Sequence, residues 1–381
     1  MNTVFTTAFP STAVSVVGAL DSVPGIYGPR PRRLPPWTRR QIPDPVFDFV
    51  VGMTSGVRIA ARTGATRVTL ELAIIGIDTG VRPAAPAVLD LVVDGAHRER
   101  VFVPGAAQTL VAADGTVTQE HPPVAVTFHT GATRREREIE IWLPHTTAVE
   151  LVALCADAPV TPPRDDRPVW VHHGSSISQC GEASAPTRTW PAIAAAHGGY
   201  SLRSLGFSGN AVGDPFVART IRDQPADAIS IEIGINVVNG DLMRRRMFEP
   251  VLHGFLDTVR EGHPQAPVLM LGPIPCPAHE EAPGPTVLDD RGRARSAGTP
   301  AEIERGAMNL RVVREALARV LAARADDARL FFLDGRELLP DTEVADLDDG
   351  LHPNAAAYER MGVRFAAHAF TAGAPLVRPH V

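Results

Sequence analysis

The sequence contains no lysine; all 37 basic residues are arginine. That absence excludes each chemistry built on a lysine amine: the phosphate-gripping lysine of a P-loop, a Schiff base, a Ser-x-x-Lys acylase and a kinase-type lysine. Cysteine is nearly as scarce. Cys155, Cys180 and Cys276 are odd in number and widely spaced, which suits free thiols in a reducing compartment and not a disulfide frame. A cytoplasmic protein is therefore expected. No apolar run approaches the roughly 20 residues that span a bilayer. The first stretch, MNTVFTTAFPSTAVSVVGAL, lacks a basic n-region and a clear apolar core, so neither a leader nor a membrane partner is expected. Excess positive charge is missing too: 43 acidic residues against 37 arginines leave a net charge of −6 and no electrostatic case for a nucleic-acid partner.

What is present suits a soluble globular chain of two domains, with 381 residues, 44% hydrophobic and 21% charged. Residues 1 to about 45 are dense in proline and arginine (Pro29-Arg30-Pro31-Arg32-Arg33, Pro35-Pro36). Proline at this density disfavours helix and interior strand, and the expectation is an arm wrapped on the surface. From Phe47 to Leu154 the pattern has period two. Val68, Leu70, Leu72 and Ile74 alternate with polar or small residues, and so do Leu89, Leu91 and Val93, then Val124, Val126 and Phe128, then Ile139 and Ile141. Short alternating runs between Gly, Pro and Asp turns, with no helix between them, predict an all-β, jelly-roll-like sandwich over residues 1–158. Pro159 to Pro168 (PVTPPRDDRP) has nothing to bury and reads as a linker, 159–168.

The rhythm over 169–381 is strand, helix, strand. Strands are predicted at Val169 to His173, Tyr200 to Leu205, Ala228 to Ile233, Val268 to Leu271 and Leu330 to Asp334. Helices are predicted at Thr189 to His197, Met243 to Glu261, Thr299 to about Ala323, and from Pro353 onward. This alternation gives an α/β domain: a parallel five-stranded, flavodoxin-like sheet flanked by helices. Ligands in such sheets bind beyond the carboxyl ends of the strands.

Four stretches fall there. They are Gly174-Ser175-Ser176-Ile177 after the first strand, Gly206 to Asn210 after the second, Gly234-Ile235-Asn236 after the third, and Asp349-Gly350-Leu351-His352 after the fifth. A serine hydroxyl is a weak nucleophile that needs a base. His352 is the candidate base, and Asp349, three residues earlier, can hold its tautomer. The backbone N–H groups of Ser176 and Gly209 and the Asn236 amide are candidate oxyanion donors. A glycine at 209 is expected because a side chain there would crowd the acyl oxygen.

In sequence order these four blocks resemble those of the SGNH, or GDSL-type, hydrolases and acyltransferases, over roughly Val169 to Phe370. The resemblance implies a Ser176–His352–Asp349 triad with Ser176, Gly209 and Asn236 as the oxyanion hole, no metal and no resident cofactor. One departure stands out: the family's usual aspartate before the nucleophile is Ser175 here. The two-domain layout resembles a subset that includes carbohydrate esterases and an acyltransferase of tetracycline-type aromatic polyketide biosynthesis. Leu143 to Thr147 and Pro273 to Glu280 look like that subset. The resemblance implies an acyl-enzyme catalyst whose partners are a small-molecule acyl donor, an acyl-coenzyme A co-substrate in a cytoplasmic protein, and a hydroxyl acceptor on a sugar or glycosylated natural product. Alternatives are a carbohydrate or small-ester esterase, and a non-catalytic carbohydrate-binding protein.

Other chemically suggestive residues have plainer readings. His172 and His173 lack a third ligand at zinc spacing. Cys180 reads as a small buried residue and Glu232 as a buried, paired carboxylate. Ser208 and Asn210 fit turn geometry. Arg244-Arg245-Arg246 reads as a solvated helix start, with a donor's phosphates as the alternative. Pro275 to Gly298, long and without periodicity, is expected to be a lid or acceptor-pocket loop.

Overall fold

A computed structural model describes residues 3–377 apart from 43, 79, 81, 82, 113, 133 and 134. The chain divides into two compact units, one reaching Asp166 and including Ala185–Thr187, the other holding the remainder. Ala185–Thr187 lie outside the unit to which the sequence assigned them. The reason is local: the Thr187 backbone N–H and hydroxyl both donate to buried Asp90.

The first unit is a sandwich of two largely antiparallel sheets. One is ordered Phe5–Ala8, Ala148–Ala156, Arg67–Ile77, Thr109–Val111, Val117–Gln119, with Val124–His129 also on Arg67–Ile77. The other is ordered Val160–Thr161, Arg58–Thr63, Arg137–Trp142, Ala87–Val93, Ala96–Val103, with Ser15–Val17 on Arg58–Thr63. The period-two residues do what alternation requires. Val68, Leu70, Leu72, Ile74, Leu89, Leu91, Val126, Phe128, Ile139 and Ile141 share one core. Each fully buried aliphatic side chain contributes roughly 1.5–3 kcal/mol.

Three expectations for this half are corrected. The proline- and arginine-rich start is not a surface arm. Phe5–Ala8 pairs with Ala148–Ala156, Ser15–Val17 pairs with Arg58–Thr63, and Asp21–Pro24 forms a hairpin with Pro29–Arg32. Arg33 is fully buried and donates to the Val50 carbonyl at 2.6 Å; burial pulls its pKa down to about 9. The proline rule still holds locally, since Pro29 and Pro31 lie in a two-stranded hairpin. Second, a helix does intervene, at Pro45–Gly52, with the Asp44 carboxylate accepting from the Phe47 N–H and proline in the first turn. Third, the expected linker is partly structured. Val160–Thr161 adds a short strand to Arg58–Thr63, and the Arg164 N–H donates to the Glu138 carboxylate.

The second unit is built on five parallel strands: β1 (Val169–Gly174), β2 (Ser201–Gly206), β3 (Ala228–Glu232), β4 (Val268–Leu271) and β5 (Leu330–Leu333). Their order across the sheet is β2-β1-β3-β4-β5. β3 and β4 are buried throughout, as helices on both faces demand. Helices follow at Trp190–Gly198, Pro215–Arg222, Arg245–Gly262, Leu310–Ala322 and Ala355–Ala369. Phe248, Leu252, Phe255, Leu256 and Val259, spaced at the helix period, form the buried stripe of Arg245–Gly262. The helix expected from Thr299 to Ala323 is broken: Pro300–Glu304 ends at Arg305, Gly306 takes a positive φ of 94°, and Asn309 caps a new start at Leu310. Pro275 to Gly298 is not structureless either, since Thr286–Leu288 pairs with Ala294–Ser296. Among the described residues no helix is long and apolar enough to cross a membrane.

Candidate active site

Strand order decides what can meet. The chain leaves β1 toward β2 on one side and returns to β3 on the other, so the switch point lies at the carboxyl ends of β1 and β3. Ser176 follows β1 and Asn236 follows β3. Of the stretch Val171 to Cys180, Ser176 alone is not buried. Its Oγ lies 2.9 Å from Nε2 of His352. On the far side of that ring, Nδ1 lies 2.7 Å from Oδ2 of Asp349.

Asp349 and His352 share one tight loop, closed by a bridge between Leu347 and Pro353 and by the Asn354 N–H donating to the Asp346 carbonyl. Asp349 Oδ1 accepts the Leu351 and His352 N–H groups at 2.8 and 2.7 Å. Partial burial works to raise the Asp349 pKa, but the bonds from His352 and Leu351 outweigh it and hold the carboxyl at about 2. For His352, burial works to lower the pKa. The Asp349 bond, then the negative charges of Glu182 and Asp349, outweigh burial and raise it above 6.5.

Asn236 is buried, and its Oδ1 accepts the Ala211 N–H at 2.9 Å. That bond assigns the oxygen and leaves the amide N–H₂ as the end available to an anion. Gly209 has a φ of +74° and no atom within 4 Å of where a Cβ would stand. The left-handed backbone by itself calls for glycine here. Gln179 Oε1 accepts the Ser208 N–H at 3.0 Å and joins the glycine turn to the serine turn. A hydroxyl, an imidazole able to take its proton, a carboxylate behind it and N–H donors nearby can support acyl transfer through a covalent ester.

Comparison with known proteins agrees with this geometry. Residues 173–360 match the GDSL-like lipase/acylhydrolase family. The α/β unit is a GDSL-like lipase/acylhydrolase domain. No curated protein matches the chain in sequence. Among solved structures, the chain is similar to salicylyl-acyltransferase SsfX3 from a tetracycline biosynthetic pathway, at 24% identity over 95% of each chain, with a TM-score of 0.78. It is also similar to a family two carbohydrate esterase from Cellvibrio japonicus, at 13% identity over 96% of this chain and 97% of that one, TM-score 0.57. A family two carbohydrate esterase from Clostridium thermocellum matches at 14% identity over 83% and 92%, TM-score 0.54.

Within the GDSL-like domain, the two adjacent serines are now distinguished. Ser175 is buried and its Oγ accepts the Ile177 N–H at 3.2 Å, an N-cap role. Ser176 faces the imidazole. His172 is locked beneath the turn: the Trp170 indole N–H donates to Ser230 Oγ, that hydroxyl meets Nδ1 at 2.7 Å, and Nε2 meets Ser178 Oγ at 2.7 Å. Burial pulls its pKa down to about 3. His173, bonded to the Leu205 carbonyl, is pulled down by burial to about 4. Cys180 is buried with its Sγ 3.1 Å from the Ile177 carbonyl, and burial pushes its thiol far up. Arg244 pairs with Asp241, while Arg245 and Arg246 are exposed. Among the described residues no group of three His, Cys, Asp or Glu is placed to hold a metal.

One carboxylate escaped the sequence reading, and a second, Glu232, is buried and paired as expected but with a partner that the sequence did not name. Glu182 Oε1 lies 3.9 Å from His352 Nδ1, and its other oxygen accepts the Tyr358 hydroxyl at 3.2 Å. Glu232 touches the serine turn itself, its Oε2 accepting the Ser175 N–H. Neither belongs to a spacing pattern; only the packing of distant segments shows their partners. The excursion after β4 also reaches this region, since the Ala294 N–H donates to the Asp349 carbonyl at 2.7 Å.

Proposed function

We propose that the chain is a serine O-acyltransferase working through an acyl-Ser176 ester. The observation that carries this reading is the unbroken hydrogen-bonded series Ser176 Oγ, His352, Asp349 at 2.9 and 2.7 Å. Ser176 Oγ attacks the acyl carbonyl while its proton passes to His352 Nε2. The oxyanion is met by the Ser176 and Gly209 N–H groups and the Asn236 amide. As the carbonyl re-forms, the bond to the leaving group breaks and His352 returns the proton to it. An acceptor hydroxyl then repeats the sequence, losing its proton to His352, and Ser176 is released with a proton restored.

A thioester of coenzyme A is the donor in this reading, and a hydroxyl of a sugar or glycosylated natural product is the acceptor. The likeness to a salicylyl-acyltransferase across both units supports transfer. Three free thiols suit the cytoplasm, where such donors are found. The hairpin of Thr286–Leu288 and Ala294–Ser296, bonded to Asp349, is suited to cover the acyl group and exclude water. The second reading is a carbohydrate esterase, favoured by the likeness to the family two esterases. Intact-protein mass spectrometry after incubation with acyl-coenzyme A thioesters tests both. A Ser176 adduct discharged faster by a glycosylated acceptor than by buffer supports transfer. Discharge at the same rate by both supports hydrolysis. An adduct that persists in S176A refutes the nucleophile.

A further inference from the structure

The motif that gives the family its name has an aspartate before the serine; here that residue is Ser175, and a carboxyl group reaches the same turn from β3. Glu232 ends that strand and is 4% exposed. Its Oε2 accepts the Ser175 backbone N–H at 2.8 Å. The other oxygen, Oε1, has no hydrogen-bond partner among the described residues. A buried carboxyl half without partners is a cost that packing alone does not justify. Space beneath the turn is fully used: a Cβ built on Gly174 would collide with Ser178 Oγ and lie 3.0 Å from Glu232 Oε2. Among the described residues, the backbone group that the Glu232 side chain holds is the N–H immediately before the Ser175–Ser176 peptide. The orientation of that peptide sets both the Ser176 side chain and its N–H donor.

We propose that Glu232 is a positioning residue for the nucleophile, supplying from β3 the carboxyl group that the motif elsewhere carries at position 175. This rests on Ser176 being the nucleophile. The two positions form an exchangeable pair. An aspartate at 175 would set two carboxyl groups within hydrogen-bond reach where water is excluded, and such a pair cannot both ionise. Replacing the Glu232 carboxyl by an amide at the same time relieves the conflict and offers the new carboxylate an N–H donor.

The test is hydrolysis of p-nitrophenyl acetate by the full chain, with kcat and KM measured separately for E232Q, S175D, S175D/E232Q and S176A. Unfolding midpoints are recorded alongside. E232Q is expected to lose about tenfold in kcat with KM nearly unchanged, and S175D about a hundredfold, because misplaced nucleophiles cost rate and not binding. The double variant should recover to about the E232Q level, a strong departure from additivity. Wild-type kcat in S175D, or a double variant reduced by the product of the single losses, overturns the proposal. If S175D does not fold, E232Q decides alone: a rise in KM at unchanged kcat, or a lowered midpoint with no kinetic change, overturns it. Activity surviving in S176A would instead sink the functional reading on which this one stands.

Discussion

Replacing Asp349 by asparagine separates the chemistry of the site from its stability. The substitution keeps an oxygen for the Leu351 and His352 N–H groups, now bonded at 2.8 and 2.7 Å. It places an N–H₂ against Nδ1 of His352. That nitrogen must then accept, so the ring proton moves to Nε2 and points at Ser176 Oγ. A base carrying its proton on the working nitrogen cannot take another. The expected loss in kcat is on the order of 10⁴-fold, equal to about 5.5 kcal/mol of barrier. The stability change is far smaller. A carboxyl held at about 2 instead of 3.8 contributes at most about 2.5 kcal/mol. With 38% of the side chain exposed, solvent screening brings this nearer 1 kcal/mol. The folded pKa is depressed, so this contribution is present above about pH 4 and fades as pH falls toward 2. At neutral pH, D349N should unfold in urea close to wild type and yet be almost inert toward p-nitrophenyl acetate. Retention of more than a hundredth of wild-type kcat, with the fold intact, would refute the tautomer argument.

Three further outcomes are expected. N236A should lower kcat by about 10²–10³-fold with little change in KM, since the amide meets charge that exists only in the transition state; equal losses through KM would mean ground-state binding. E182Q removes a negative charge 3.9 Å from the imidazole, so the His352 pKa should fall and the acid limb of kcat/KM move to lower pH, less so at high salt. A limb that stays fixed would show the charge to be screened already. G174A should abolish activity, because the added methyl group collides with Ser178 Oγ and presses on Glu232; normal turnover would mean that the turn yields.

The sequence carried the sheet of the second unit well, because strands buried on both faces are continuous apolar runs and helices announce their inner stripe. It carried the sandwich core for the matching reason of alternation. It did not carry Phe5–Ala8 or Ser15–Val17, whose partners lie at Ala148–Ala156 and Arg58–Thr63 and leave no local mark. The helix at Pro45–Gly52 had a legible signal in Asp44-Pro45 that the proline-rich surroundings masked. The broken helix after Thr299 likewise had Gly306 and Asn309 to mark it. At the site, Ser176, His352 and Asp349 could be named from turns that follow strands. Glu182 could not, and Glu232 could be read as a buried, paired carboxylate but not matched to Ser175, because each acquires its role only from what a remote stretch of chain places against it.

The enclosure of His172 and His173 has a practical result for anyone measuring this protein. Both rings flank the serine turn, yet with pKa values near 3 and 4 they stay uncharged at every pH where the enzyme would be assayed. Of the 13 histidines in the chain, these two should therefore stay silent in a proton NMR titration. The His352 signal is the one lost in H352A, and the kinetic acid limb can be compared with it knowing that neither ring beside the serine turn contributes.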